Sequence, residues 1–294
     1  MDHQGAVIVD RGEYSVIDCR NCGFAHLSPI PDSKTLEQYY FKRFYGETKS
    51  DYISRCEKDS VWWRLQYFEW LDLIAAACRS GGRRILEIGC GPGFFLSAAR
   101  EREWETLGID ASSQAIAYAR DVLQLEVQQG FVVDQLPSGT YDAVLLNLVL
   151  EHIADPANLL KTVWDGLHPG GVICLVVPND FSTIQLAAWR ELKKPEWWVA
   201  VPDHINYFSY DSLERLLVRM GFTPVARTTD WPMEFFLLMG DDYAGNDALG
   251  QELHKKRVRM DLAMGAHCEE DRRRFVQLMA GMGWGRDAVI IARK

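Results

Sequence analysis

The stretch ILEIGCGPGFFL, residues 85–96, decides the fold. Gly89, Gly91 and Gly93 stand at every second position directly after an apolar run, and Glu87 stands two residues before the first of them. RRILEIG reads as a buried strand and FFLSAAREREW as a helix. A strand-to-helix turn without Cβ atoms lets the main chain approach a ligand closely, and the helix N-terminus aims its amides there. The spacing is G-x-G-x-G. The dinucleotide fingerprint G-x-G-x-x-G would need a glycine where Phe94 stands, which disfavours a nicotinamide cofactor. Asp110 closes the next strand, ETLGID, where a carboxylate can accept hydrogen bonds from both hydroxyls of a ribose. The ligand is then a nucleoside, with no pyrophosphate required. The competing reading is that the glycines serve only the geometry of the turn.

Outward from this loop, strands and helices alternate, the pattern of a parallel sheet with crossover helices. SSQAIAYARDVL is a helix capped by Ser112 or Ser113, and EVQQGFVV holds a short strand. YDAVLLNLVL and VICLVVPN are apolar enough to be buried on both faces. PANLLKTVWDGL is a helix closed by HPGG, SYDSLERLLVRMGF a helix ending at Gly221, and GRDAVIIARK the last strand. Upstream, SVWWRLQYFEWLDLIAAACRS is a long helix expected to stop at Gly81–Gly82.

As a set and in this order, the glycine loop, Asp110, YDAVLLNLVLEHIADP and LHPGGVICLVVPN resemble the class I S-adenosylmethionine-dependent methyltransferases. The resemblance spans residues 83–229. It implies an α/β fold with a doubly wound, seven-stranded Rossmann-like sheet whose last strand is antiparallel. It also implies S-adenosylmethionine as cofactor. The loop glycines Gly89, Gly91 and Gly93 would cradle it, with Glu87 and Gly89 near its amino-acid end. Asp110 would bind its ribose, Gly130 and Phe131 would border its adenine, and Asn147 would lie near its methionine part. The aromatic segment with Tyr39, Tyr40 and Tyr45 is either core or a lid, with Tyr45 the lid candidate.

Methyl transfer needs a nucleophile held in line behind the methyl group and a base for any proton lost. Two histidines follow strand ends: His152 in LEHIADP and His204 in VPDHINYFS. DHINYFS resembles the EHxxYFS segment of the sugar C-methyltransferases, which implies an active-site pair of Asp203 and His204. The expectation is His204 as general base oriented by Asp203, with His152 next. The alternative is that Asp203, His204 and Tyr207 cap the helix beginning near Tyr210.

Residues 1–50 read as an accessory module and 51–294 as the methyltransferase domain. Within the latter, 83–230 is the core, 231–284 a helical insertion and 285–294 the last strand. Cys19 and Cys22 in CRNC have zinc-knuckle spacing. The sugar C-methyltransferases carry an earlier Cys pair that is absent here, and nothing in the spacing demands that His3 or His26 fill in. The expectation is a knuckle without metal. In the insertion, MEFFLLM reads as core, GDDYAGND as a segment able to reach over the substrate, and His254, Lys255, Lys256 and Arg257 as a solvated helix face or a phosphate holder.

The net charge of −9, without a basic run to offset it, disfavours nucleic-acid partners, and apolar stretches such as AVLLNLVL are far short of the ~20 residues a membrane span needs. Seven scattered cysteines and no export signal fit a cytoplasmic protein with reduced thiols. The reading is methyl transfer to a small molecule, a sugar or sugar nucleotide by preference. The rivals are an RNA- or protein-modifying methyltransferase and a non-catalytic binder of the cofactor.

Overall fold

A computed structural model describes residues 3–31, 52–132, 136–137 and 139–294. Tyr39, Tyr40 and Tyr45 lie outside the described residues. Strands β1 (Gly5–Asp10), β2 (Ser15–Cys19) and β3 (Phe24–Ser28) form an antiparallel meander. Helices α1 (Tyr52–Lys58) and α2 (Ser60–Ala77) lead into the alternating region. It begins with β4 (Arg84–Ile88), α3 (Phe94–Glu101), β5 (Glu105–Asp110), α4 (Ser113–Asp121), β6 (Val127–Gln129) and β7 (Tyr141–Asn147). A single 3-10 turn, Leu150–His152, precedes α5 (Pro156–Gly166), β8 (Leu167–Pro178), α6 (Thr183–Leu192) and β9 (Asn206–Tyr207). Then come α7 (Tyr210–Arg219), β10 (Thr223–Thr228), α8 (Glu234–Leu238), α9 (Asp247–His267), α10 (Glu269–Gly281) and β11 (Asp287–Arg293).

The large sheet has seven strands in the order β10-β11-β8-β7-β4-β5-β6. Strands β8, β7, β4, β5 and β6 are parallel, and β11 is antiparallel to both of its neighbours. Successive residues of the central strands feed opposite faces. Leu86, Ile88, Val144 and Leu146 join one buried cluster, and Ile85, Ala143 and Leu145 the other. From β4 the chain winds outward through β5 and β6, then returns to the other flank of β4 as β7. Strand order reverses there, and such a reversal opens a crevice beyond the carboxyl ends of the strands.

Three local expectations are corrected. Helix α2 stops at Ala77 rather than at Gly81–Gly82: Cys78 turns extended (ψ 132°), and Arg79 N–H donates to the Gly170 carbonyl at 2.8 Å. HPGG does not close α5 but belongs to β8. Pairing starts at Tyr141–Leu167 and resumes after an irregularity at Ala143–Val172, with Gly170 absorbing the bend at φ +80°. MEFFLLM is only partly core, because Leu237 is buried but Leu238 and Met239 are 42% and 68% exposed.

The small sheet has the order β1-β2-β3-β9. Its fourth strand comes from the segment between β8 and α7, with Ala25 opposite Tyr207 and His26 opposite Asn206. The knuckle is also tied to α7, since the Arg219 guanidinium donates to the Cys22 carbonyl at 2.8 Å. No helix among the described residues is long and apolar enough to cross a membrane.

Candidate active site

A cavity of about 580 Å³ opens at the strand-order reversal. Its first wall is the loop between β4 and α3. Gly89, Gly91 and Gly93 have φ of +73°, +51° and +83°, a region that favours glycine over any residue with a Cβ. A Cβ on Gly89 would lie 2.4 Å from Val149 Cγ2, and one on Gly93 would lie 2.5 Å from Leu125 Cδ1. The turn therefore needs these two glycines for its own packing, while the bare backbone of Gly89 and Gly91 faces the cavity.

Asp110, at the end of β5, is buried and holds the loop. Its Oδ2 accepts from Gly91 N–H at 2.9 Å and its Oδ1 from Ser112 N–H at 2.8 Å. Ser112 in turn caps α4 by accepting from Ala115 N–H at 3.2 Å. Gly130 N–H donates to the Asp110 carbonyl at 2.9 Å, which brings Gly130 and Phe131 to the same rim; Phe131 is 57% exposed. Glu87 and Asn147 also line the cavity, from the ends of β4 and β7. Burial, with the nearby Asp110 charge, raises the Glu87 carboxyl well above the ordinary carboxylate range. Glu87 Oε2 and Asn147 Oδ1 are buried with no hydrogen-bond partner among the described residues. Unpaired buried acceptors are costly, and a donor-rich ligand would relieve both.

The opposite wall holds Glu151, His152, Asp203 and His204. His152 Nδ1 lies 2.7 Å from the Asp203 carbonyl oxygen and 3.4 Å from Asp203 Oδ1. A carbonyl can only accept, so it places the imidazole proton on Nδ1 and the lone pair on Nε2. Nε2 lies 3.7 Å from Glu151 Oε1, and the His204 ring stands edge-on to His152 at 5.0 Å. Burial raises the Glu151 carboxyl well above its ordinary range. The helix-cap alternative for Asp203, His204 and Tyr207 is corrected: Ser209 caps α7, exchanging hydrogen bonds with Ser212 in a capping box.

Of the candidates among the described residues, Glu87, Gly89, Gly91, Asp110, Gly130, Phe131, Asn147, His152, Asp203 and His204 line one cavity; Gly93 packs behind the loop and does not. The sequence reading missed Glu151, Asp230, Arg286 and Asp287, which line it too, and Arg257, named only within the basic cluster, joins them. One signal was available: Arg286 and Asp287 are charges placed directly before the apolar run AVIIA. The basic cluster is split by its helix. Arg257 turns inward to Asp230 Oδ2 at 2.9 Å and His254 meets Asp59 Oδ2 at 3.1 Å, while Lys255 and Lys256 face solvent.

A family model described as a methyltransferase domain matches residues 62–227, more than half of the chain. The chain belongs to this methyltransferase family. Sheet order and loop make this methyltransferase a class I, S-adenosylmethionine-dependent one. It is 29% identical over 132 residues to the trans-aconitate 2-methyltransferase of Azoarcus sp. (strain BH72), covering 44% of this chain and 51% of that protein. It is 31% identical over 123 residues to a ubiquinone biosynthesis O-methyltransferase of Acinetobacter baumannii (strain AYE), covering 39% and 48%. The methyltransferase spans about half the length of the curated relatives it matches. A solved S-adenosylmethionine-dependent methyltransferase from Archaeoglobus fulgidus shares the fold, with a TM-score of 0.54 at 18% identity over 83% of this chain and 100% of that chain. The unpaired acceptors of Glu87 and Asn147 suit the ammonium end of the cofactor, and the cavity beside Asp110 suits its ribose.

Proposed function

We propose that this methyltransferase alkylates a small molecule seated between the glycine loop and the His152–His204 wall. The single observation that carries the reading is the juxtaposition, in one cavity, of the glycine loop and an imidazole whose tautomer is pinned by the Asp203 carbonyl. S-adenosylmethionine supplies, when bound, an activated methyl group on a sulfonium. Glu87 and Asn147 hold its amino-acid end, Asp110 its ribose, and Gly130 with Phe131 its adenine. His152 Nε2 takes the proton that the acceptor loses. Asp203 orients His152, and His204 packs edge-on against its ring. The sequence expectation gave the base to His204. We assign it to His152, because Asp203 presents both its carbonyl and its carboxylate to that ring.

For the acceptor we favour a polyhydroxyl compound, a sugar or sugar nucleotide. Asp230, Arg257, Arg286 and Asp287 also line the cavity, and carboxylates with guanidinium groups can exchange hydrogen bonds with several hydroxyls at once. The DHINYFS segment supports the same class.

The test is a metabolite extract incubated with the enzyme and methyl-labelled S-adenosylmethionine, read by untargeted mass spectrometry. A labelled hydroxyl-rich product is the expected result. A labelled product of another class would replace the sugar reading. Cofactor binding without any labelled product would leave a non-catalytic binder.

A further inference from the structure

Four ligand atoms converge at one end of the small sheet. His3 Nδ1, His26 Nε2, Cys19 Sγ and Cys22 Sγ all lie within 4.8 Å of one another. His3 Nδ1 is 3.1 Å from His26 Nε2, 3.4 Å from Cys22 Sγ and 3.9 Å from Cys19 Sγ. Around a tetrahedral zinc ion, with bonds of about 2.0–2.1 Å to nitrogen and 2.3 Å to sulfur, neighbouring ligand atoms stand roughly 3.3–3.8 Å apart. The separations here bracket that range before any ion draws the group together.

The second observation is an outer hydrogen bond. His26 Nδ1 lies 2.7 Å from the Leu27 carbonyl, so its proton sits on Nδ1 and Nε2 turns a lone pair to the cluster. A metal-bound histidine characteristically makes this bond with its other nitrogen. His26 and Cys19 are each only 1% exposed, so solvent does not satisfy them.

We propose that His3, Cys19, Cys22 and His26 bind a structural zinc ion. Two sulfurs and two imidazole nitrogens close a tetrahedron and leave no position for substrate, so the ion's role is structural. Binding forms two Zn–S and two Zn–N bonds and releases the thiol protons to solvent. The expectation of a metal-free knuckle rested on the absent earlier Cys pair and on a spacing that demands nothing of His3 or His26. Folding brings them in: the β2–β3 hairpin sets His26 beside the knuckle, and the chain entering β1 delivers His3.

The zinc would also brace the active-site wall. His26 is the pairing partner of Asn206 across β3 and β9. The Asn206 side chain donates to the Leu150 carbonyl at 3.0 Å and the Ile153 carbonyl at 2.7 Å, on either side of Glu151 and His152.

The test uses the full chain, purified without a polyhistidine tag, under reducing conditions and without chelator. Elemental mass spectrometry should find about one zinc per chain in the wild type, less than about a tenth of that in Cys22→Ser, and the wild-type content in Cys268→Ser. Cobalt(II) added to zinc-stripped wild-type chain should give the visible d–d bands and near-ultraviolet thiolate charge-transfer band of a tetrahedral site. This readout does not depend on a variant folding. Zinc below about a tenth per chain together with no cobalt bands would overturn the proposal, as would full zinc retention in Cys22→Ser.

Discussion

Asp110 Oδ2 accepts a hydrogen bond from the Gly91 amide at 2.9 Å, so the acid expected to meet the cofactor's ribose also holds the loop expected to cradle it. One carboxylate oxygen accepts more than one hydrogen bond, and the two roles are compatible. Asp110→Ala removes both. S-adenosylhomocysteine should then bind about 30- to 1000-fold more weakly, equivalent to about 2–4 kcal/mol. Calorimetric titration checks this, and an unchanged Kd would place the nucleoside elsewhere.

Replacing His152 by alanine should lower kcat by about 10²–10⁴, the usual cost of losing a general base, with S-adenosylhomocysteine affinity within a few-fold of wild type. His204→Ala should cost less, because that ring only packs against His152. If His204→Ala proves the more damaging of the two, the roles are reversed. Both variants are compared with the acceptor that the labelling experiment identifies.

Arg272 is 1% exposed and joins three helices. Its Nη1 lies 2.8 Å from Glu69 Oε2 in α2, and its Nε 2.7 Å from Asp261 Oδ1 in α9, while Arg272 itself sits in α10. Trp62 Nε1 also donates to Asp261, at 2.7 Å. Arg272→Met strands two buried carboxylates, and breaking a buried ion pair in this way costs about 3–5 kcal/mol. Urea denaturation should show that loss, and a change under about 1 kcal/mol would mean that this ion-paired cluster contributes little to stability.

Asp180 supplies a pH dependence. Burial raises its carboxyl from an ordinary 3.8 to about 7. The folded chain therefore holds this proton more tightly than the unfolded chain does. Its contribution to stability is complete below pH 3.8 and is lost as the pH climbs to about 7. Asp180→Asn cannot ionise. Its stability relative to wild type should rise between pH 4 and 8 by up to about 4 kcal/mol, and a gap that stays flat over that range would show that Asp180 does not titrate there.

The sequence by itself determined what depends on neighbouring residues. An apolar run followed by three alternating glycines can hardly do other than form a strand, a tight turn and a helix. Ser112 could be read as a cap because capping is a bond between residues three apart. The alternation of apolar and amphipathic segments was enough for the sheet, and Asp110 was legible from its place at a strand end. The tertiary structure decided what depends on distant residues meeting. Strand β9 is two residues long and has no pattern of its own; it exists because β3 offers an unpaired edge. Asp203 stands beside His204 in sequence, yet its carbonyl meets His152, 51 residues away, because one loop folds over the other. His3 and His26 acquire their place beside Cys19 and Cys22 only through the pairing of β1, β2 and β3. Arg257 belongs to a basic cluster in the sequence, but its helix turns it to Asp230 and leaves Lys255 and Lys256 in water. Local backbone requirements leave a local trace in the sequence. A contact made across the fold rests on complementary surfaces, and neither surface carries the other's address.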